Sequence, residues 1–212
     1  MEKSYIQDIS FDYLFNLGFS KEQIQRVNEL VNQGIKEKLY TKSRVPYHNM
    51  KHIEKVIMYS LWIVNEKRKN GEMLDNIDIL LLAALYHDCG RKWQISNKIH
   101  GVVGADIASK KLKGSFDDKT IHSICLLIET HAKIDDTVDF KGYKYTLKEK
   151  KQIQELSDIL KDADALDRNR IRLFSFARCD VNRLRTPEAK IIYQSSNQFF
   201  NQYEKAIQKS LV

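Results

Sequence analysis

Cysteine is scarce in this chain and poorly spaced for sulfur chemistry. Cys89, Cys125 and Cys179 are odd in number, far apart and form no Cys-x-x-Cys pair. That argues against a disulfide framework and a thiolate zinc site, and it fits a reducing cytoplasm. Proline is scarcer still, with Pro46 and Pro187 alone, and 212 residues hold only eight glycines. So few breakers favour long helices over many short strands. Long hydrophobic runs are also lacking. The longest, Ile79 to Tyr86, is far too short to span a bilayer, and the opening MEKSYIQDISFDYLF has no unbroken apolar core suited to a signal peptide. A cytoplasmic protein with no membrane partner is therefore expected. No repeat, low-complexity tract or interdomain linker interrupts the chain, and no segment shows convincing two-residue alternation.

What is present is a globular composition, 42% hydrophobic and 30% charged, which excludes general disorder and supplies one sizeable core. Apolar residues at helical spacing predict a helix over Ser20 to Tyr40, with Ser20 as its cap, and another from Tyr47 to about Lys67. Ile77 to Asp88 is apolar nearly all round, as a central buried helix would be, and Gly90 is read as its stop. Further helices are predicted after His100, from about Asp117 to His131, over Lys148 to Asp164, over Asp167 to Phe176, and from Pro187 towards Leu211. The polar stretch Asp135 to Leu147 reads as a loop. The expected fold class is all-α: an irregular single-domain helical bundle spanning 1–212, with a core of about 47–175 and a C-terminal helical extension of about 187–211.

The net charge of +7 is spread along the chain, so a nucleic-acid partner is a minor alternative. The exception is Arg168 to Arg185, where six arginines (168, 170, 172, 178, 183, 185) accompany one acid, Asp180. That density suits anions, although simple salt bridging explains it equally well.

The six histidines carry more information. His87-Asp88 closes the apolar helix, where an ionisable pair is unfavourable unless paired or metal-bound. His48 and His52 lie four residues apart and would share a helical face, holding either one ligand and one proton donor or two ligands. Asp162, Asp164 and Asp167 cluster beside the arginines, where helix capping or arginine pairing would account for them. Imidazole and carboxylate without thiolate suit Fe, Mn, Zn or Mg. Asp88, with two oxygens, could bridge two ions about 3.5–4 Å apart, an arrangement that clamps a phosphoryl group and generates hydroxide near neutral pH.

The order Tyr47-His48-Asn49-x-x-His52, then Leu85-Tyr86-His87-Asp88-Cys89-Gly90-Arg91, then Ala163-Asp164-Ala165-Leu166 resembles the metal-dependent HD superfamily. The resemblance covers roughly His48 to Leu173. It implies a helical core in which His52, His87, Asp88 and Asp164 bind one divalent metal. The segments beginning at His100 and ending at His131 resemble the binuclear members, which implies a second ion on those two residues with Asp88 bridging. The opening motif is similar to that of cyclic-nucleotide phosphodiesterases, where the second histidine ligates and the first donates a proton; by that likeness His48 is the general acid. Arg91 stands where many members carry lysine and would hold a substrate phosphate, as would Arg168 and Arg172. The single His131 and the missing Gly-Tyr-Pro motif separate the chain from the cyclic-dinucleotide branch. His122 matches no motif and reads as a surface helix residue; Asp162 and Asp167 read as support for a ligand or as arginine partners. The implied activity is hydrolysis of a phosphate ester of a small nucleotide-like substrate with two divalent ions. The same ligand set also resembles the superfamily's di-iron oxygenases acting on a polyol or phosphonate, and a non-catalytic nucleic-acid-binding module is a third alternative.

Overall fold

The computed structural model describes residues 3–40, 49–91, 99–133, 137–168 and 179–209. Eight α-helices are found among these, with no strand beyond an isolated bridge between Lys113 and Phe116. None of the described helices is long and apolar enough to cross a membrane.

A short 3-10 turn, Ile6–Asp8, and α1 (Phe11–Asn16) lead into α2 (Lys21–Lys36). The start of α2 is set by a capping box: the Ser20 hydroxyl accepts from the Gln23 amide, and the Gln23 side chain accepts from the Ser20 amide. Helix α3 (Met50–Lys69) starts three residues later than the spacing predicts, because Asn49 caps it through the His52 amide. Tyr47 and His48 lie outside the described residues, so the shared helical face expected of His48 and His52 is not observed.

α3 and α4 (Ile77–Tyr86) form the centre. Leu80 to Tyr86 are all buried, as the unbroken apolar run predicts, and each leucine among them contributes about 1.5–3 kcal/mol of transfer free energy. α3 also buries charges, which needs partners: Lys67 binds Glu72, Glu155 and Glu188 at 2.9, 3.0 and 3.5 Å. Burial alone would lower the Lys67 ammonium, but these carboxylates hold it above its ordinary range. The same contacts tie α3 to α7 (Leu147–Asp167) and α8 (Pro187–Lys209).

α5 (His100–Leu112) packs along α6 (Asp118–His131), and Asp117 caps α6 through the Thr120 amide. Two expectations need correction. Gly90 does not end α4 as a left-handed cap, since its φ is not positive. It is needed for close approach: a Cβ there would stand 2.3 Å from the His100 carbonyl oxygen and 2.5 Å from the Gly104 nitrogen. Secondly, α7 does not break at Asp164. It runs through Asp164 to Asp167, with Arg168 as its C-cap. The helix expected over Asp167 to Phe176 begins inside α7, and residues 169–178 lie outside the described residues. Asp162 explains the entry to α8: its carboxylate accepts from the Arg185 and Thr186 amides at 2.9 and 2.7 Å and from the Thr186 hydroxyl at 2.8 Å.

Candidate metal centre

Helix ends converge on one point. His52 lies in the first turn of α3 and His100 opens α5; His87-Asp88 follows α4, His131 ends α6, and Asp164 lies in the last turn of α7. The C-terminal ends of three helices therefore face the cluster, and their partial negative charge favours a cation there.

The imidazoles are oriented from behind. His87 Nδ1 is 2.8 Å from the Ala84 carbonyl oxygen, one turn back on α4, and His131 Nδ1 meets the Ile128 carbonyl oxygen in the same way. His52 Nδ1 is 2.6 Å from Asp167 Oδ2, and Lys55 Nζ holds the other Asp167 oxygen at 3.1 Å. An Nδ1–H donated to these oxygens leaves the Nε2 lone pair of each ring pointing into the cluster, the tautomer a metal ligand needs. His87 is fully buried, and its Nε2 has no hydrogen-bond partner among the described residues. Burial, only partly opposed by Asp88 and Asp164, pushes its imidazole down to about 3, so it stays neutral and available as a donor.

Asp88 divides its two oxygens. Oδ2 faces His52 Nε2 at 3.7 Å and His87 Nε2 at 3.8 Å; Oδ1 faces His100 Nε2 at 3.3 Å and His131 Nε2 at 3.6 Å. Asp164 Oδ1 joins the first group, 3.3 Å from His52 Nε2 and 4.0 Å from His87 Nε2. Burial would raise the Asp164 carboxyl, but His52, His87 and Arg168 hold it well below the usual carboxylate range. Two ligand atoms about 2.1 Å from one ion stand about 3.0 Å apart at a right angle and about 4.2 Å apart on opposite sides. All of these separations fall inside that window. The donors of His52, His87 and Asp164 form one compact group, and those of His87, Asp88 and His131 another, each with its atoms within 4.8 Å of one another. The residues present fit divalent ions.

Six residues marked from the sequence, His52, His87, Asp88, His100, His131 and Asp164, thus meet in one cluster. Arg91 joins them, its Nε 3.0 Å from Asp88 Oδ1 and its Nη2 3.0 Å from His100 Nε2. Arg168 is exposed and reaches Asp164 Oδ2 at 3.6 Å. His48 and Arg172 lie outside the described residues. Of the remaining arginines, Arg183 pairs with Asp180 and Arg185 with Asp162, so salt bridging accounts for these two. His122 is not a plain surface residue. It is half-buried, with Nδ1 2.8 Å from the Tyr145 hydroxyl and its ring against Tyr143. The residue that sequence reasoning missed is Lys55. Its signal was its position, one turn after His52 on the same helix, where a buried lysine needs an acid.

Among known families, a model described as HD domain matches residues 49–169. Searches of curated proteins and of solved structures returned no match.

Proposed function

Because this chain belongs to the HD-domain family, we propose that it is a metal-dependent phosphohydrolase or phosphodiesterase acting on a phosphate ester of a nucleotide-like substrate. The observation that carries this reading is the division of Asp88, with one oxygen towards His52 and His87 and the other towards His100 and His131. In it, His52, His87, Asp88 and Asp164 hold one divalent ion, and His100, His131 and Asp88 hold a second, with Fe, Mn, Mg and Zn all compatible with the donors. Such ions, when bound, neutralise charge on a phosphoryl group and lower the pKa of water towards neutrality.

The chain's own residues supply the rest. Asp167 accepts the His52 Nδ1 proton and turns Nε2 towards the cluster, while Lys55 Nζ holds the other Asp167 oxygen at 3.1 Å. Arg91 and the exposed Arg168 offer forked donors for phosphate oxygens at the edge of the cluster. His48, assigned by its motif, protonates the leaving oxygen.

The test is metal analysis of protein purified without added metal, alongside a screen of mono-, di- and cyclic nucleotides with Mn²⁺ or Fe²⁺. The expected result is phosphate release from at least one nucleotide, and loss of both turnover and most bound metal in Asp88→Ala. No phosphate release from any nucleotide, together with substrate-dependent O₂ uptake on a polyol or phosphonate, would replace this reading with the oxygenase one. Wild-type turnover in Asp88→Ala would end both.

A further inference from the structure

The Asp88 Oδ1 side of the cluster has an unusual feature. His100 Nε2 and His131 Nε2 stand 3.0 Å apart. Donation of the His131 Nδ1 proton to the Ile128 carbonyl leaves a lone pair on His131 Nε2. Arg91 Nη2 is 3.0 Å from His100 Nε2, and a guanidinium can only donate, so His100 Nε2 also presents a lone pair. With both imidazoles neutral, two lone pairs converge at hydrogen-bond distance beside the Asp88 carboxylate, with no proton between them. Such an arrangement is stable only if a positive charge lies against it. Arg91 supplies one, with its Nε on Asp88 Oδ1 and its Nη2 on His100 Nε2.

These are two of the atoms a second ion would use. A lone pair already accepting from a guanidinium cannot also ligate a metal at about 2.1 Å, and a divalent ion there would face the fixed charge of Arg91 at close range in a buried site. On the Oδ2 side, His52 and His87 face Asp88 Oδ2 at 3.7 and 3.8 Å and His52 faces Asp164 Oδ1 at 3.3 Å, while Arg168 reaches the other Asp164 oxygen, Oδ2, at 3.6 Å.

We infer that Arg91 and a second divalent ion are alternative occupants of the position between Asp88 Oδ1 and His100 Nε2, so that Arg91 sets how many metals the protein holds. The inference rests on the metal centre proposed above. The ion on the His52 side binds tightly and alone at low metal concentration. The second enters only when Arg91 gives up both contacts, and the guanidinium is then released towards the edge of the site.

The experiment titrates the full chain, stripped of metal by chelator, with Mn²⁺ at neutral pH and reads stoichiometry and affinity by calorimetry. It compares wild type with Arg91→Ala and with Arg91→Met, which keeps the aliphatic stem; circular dichroism checks the fold. In wild type the first ion is expected to bind at least tenfold more tightly than the second, about what one charge-assisted pair contributes. Both variants should tighten the second ion about tenfold or more while moving the first less than about threefold. Unchanged affinity for the second ion in both folded variants overturns the role of Arg91 and leaves the metal centre standing. Absence of Mn²⁺ binding in wild type and variants alike overturns the metal centre itself, and the inference with it.

Discussion

Replacing Gly90 with alanine tests how tightly the turn after α4 is bound to the start of α5. The added Cβ would lie 2.3 Å from the His100 carbonyl oxygen, 2.5 Å from the Gly104 nitrogen and 3.0 Å from the Val103 carbonyl carbon. All three are backbone atoms of one helix, so no side chain can rotate away. Relief to ordinary contact requires the first turn of α5 to retreat by about 1 Å, a displacement large enough to cost about 10²-fold in rate when it falls on a reacting group. His100 sits on that turn, 3.3 Å from Asp88 Oδ1, so the retreat opens the proposed second metal position directly. Overpacking of this kind costs about 1–3 kcal/mol, which lowers the melting temperature of a chain this size by about 2–12 °C. The measurement is thermal unfolding together with bound metal at saturating Mn²⁺. We expect a lowered melting temperature and loss of the second ion with the first retained. Gly71→Ala serves as the control. Its Cβ meets nothing within 4 Å, so only the positive φ of 83° is strained, at about 1–2 kcal/mol with no change in metal. A Gly90→Ala protein with wild-type melting temperature and two ions would refute the reasoning.

Two further outcomes follow from the cluster. His131→Ala should keep about one ion per chain at saturation and lose most of its turnover, because a two-ion clamp becomes a single ion; metal content by elemental analysis, with rates in parallel, decides it, and unchanged values in both would make His131 a structural residue. For metal-free protein, the lowered His87 pKa fixes a pH dependence. The unfolded chain takes up a proton near 6.5 and the folded one only near 3, so stability is fully present above about 6.5 and is lost as pH falls towards 3, by up to a few kcal/mol. Urea denaturation at pH 7 and pH 4 should show this loss in the wild type and a smaller one in His87→Gln.

The helices were legible where a cap meets an apolar face, as at Ser20, and where the run is apolar all round, as through Ile77 to Tyr86. The residues of the cluster were legible because imidazole and carboxylate at the ends of apolar helices are unfavourable unless paired or metal-bound. What escaped was decided by partners distant in sequence. The break expected between Asp164 and Asp167 is absent from α7, and Asp162 and Asp167, read as support for a ligand or as arginine partners, are both helical and buried. Asp162 is satisfied by Arg185 and Thr186, and Asp167 by His52 and Lys55. Lys55 and Lys67 look like solvent-facing lysines until Asp167, Glu155 and Glu188 come into place. The stretch before Leu147 was rightly free of helix and strand over its described residues 137–146. Nothing local shows that its Tyr143 and Tyr145 cover His122.

The same long-range logic reaches beyond the family match. Glu54, one residue before Lys55, is buried in α3, and burial raises its carboxyl against the pull of Ser4, Tyr203, Tyr5 and Ile6. Oε1 accepts from the Ser4 hydroxyl at 2.5 Å and from the Tyr5 and Ile6 amides at 3.0 Å, and Oε2 accepts from the Tyr203 hydroxyl. Every one of those donors lies outside residues 49–169. A fragment cut to the family match would keep the buried carboxylate and remove all four donor groups, and it would also strip Phe200 and Tyr203 from the Lys55 ammonium that holds Asp167. Leaving a buried charge without its partners costs about 3–5 kcal/mol, a large part of the stability of an ordinary domain. Glu54→Ala in the full chain leaves the four donors without their acceptor instead, and should cost about 2–4 kcal/mol. Glu54→Gln should cost less, because its amide oxygen can keep the Ser4, Tyr5 and Ile6 donors while the Tyr203 hydroxyl turns to accept. Urea unfolding by circular dichroism of the full chain, the two variants and the 49–169 fragment orders them in one series. The expected order of stability is wild type, Glu54→Gln, Glu54→Ala, then the fragment, which should lack a cooperative transition. A fragment that unfolds cooperatively at the wild-type midpoint would show that the terminal segments merely cover α3 and do not hold the helix that carries His52.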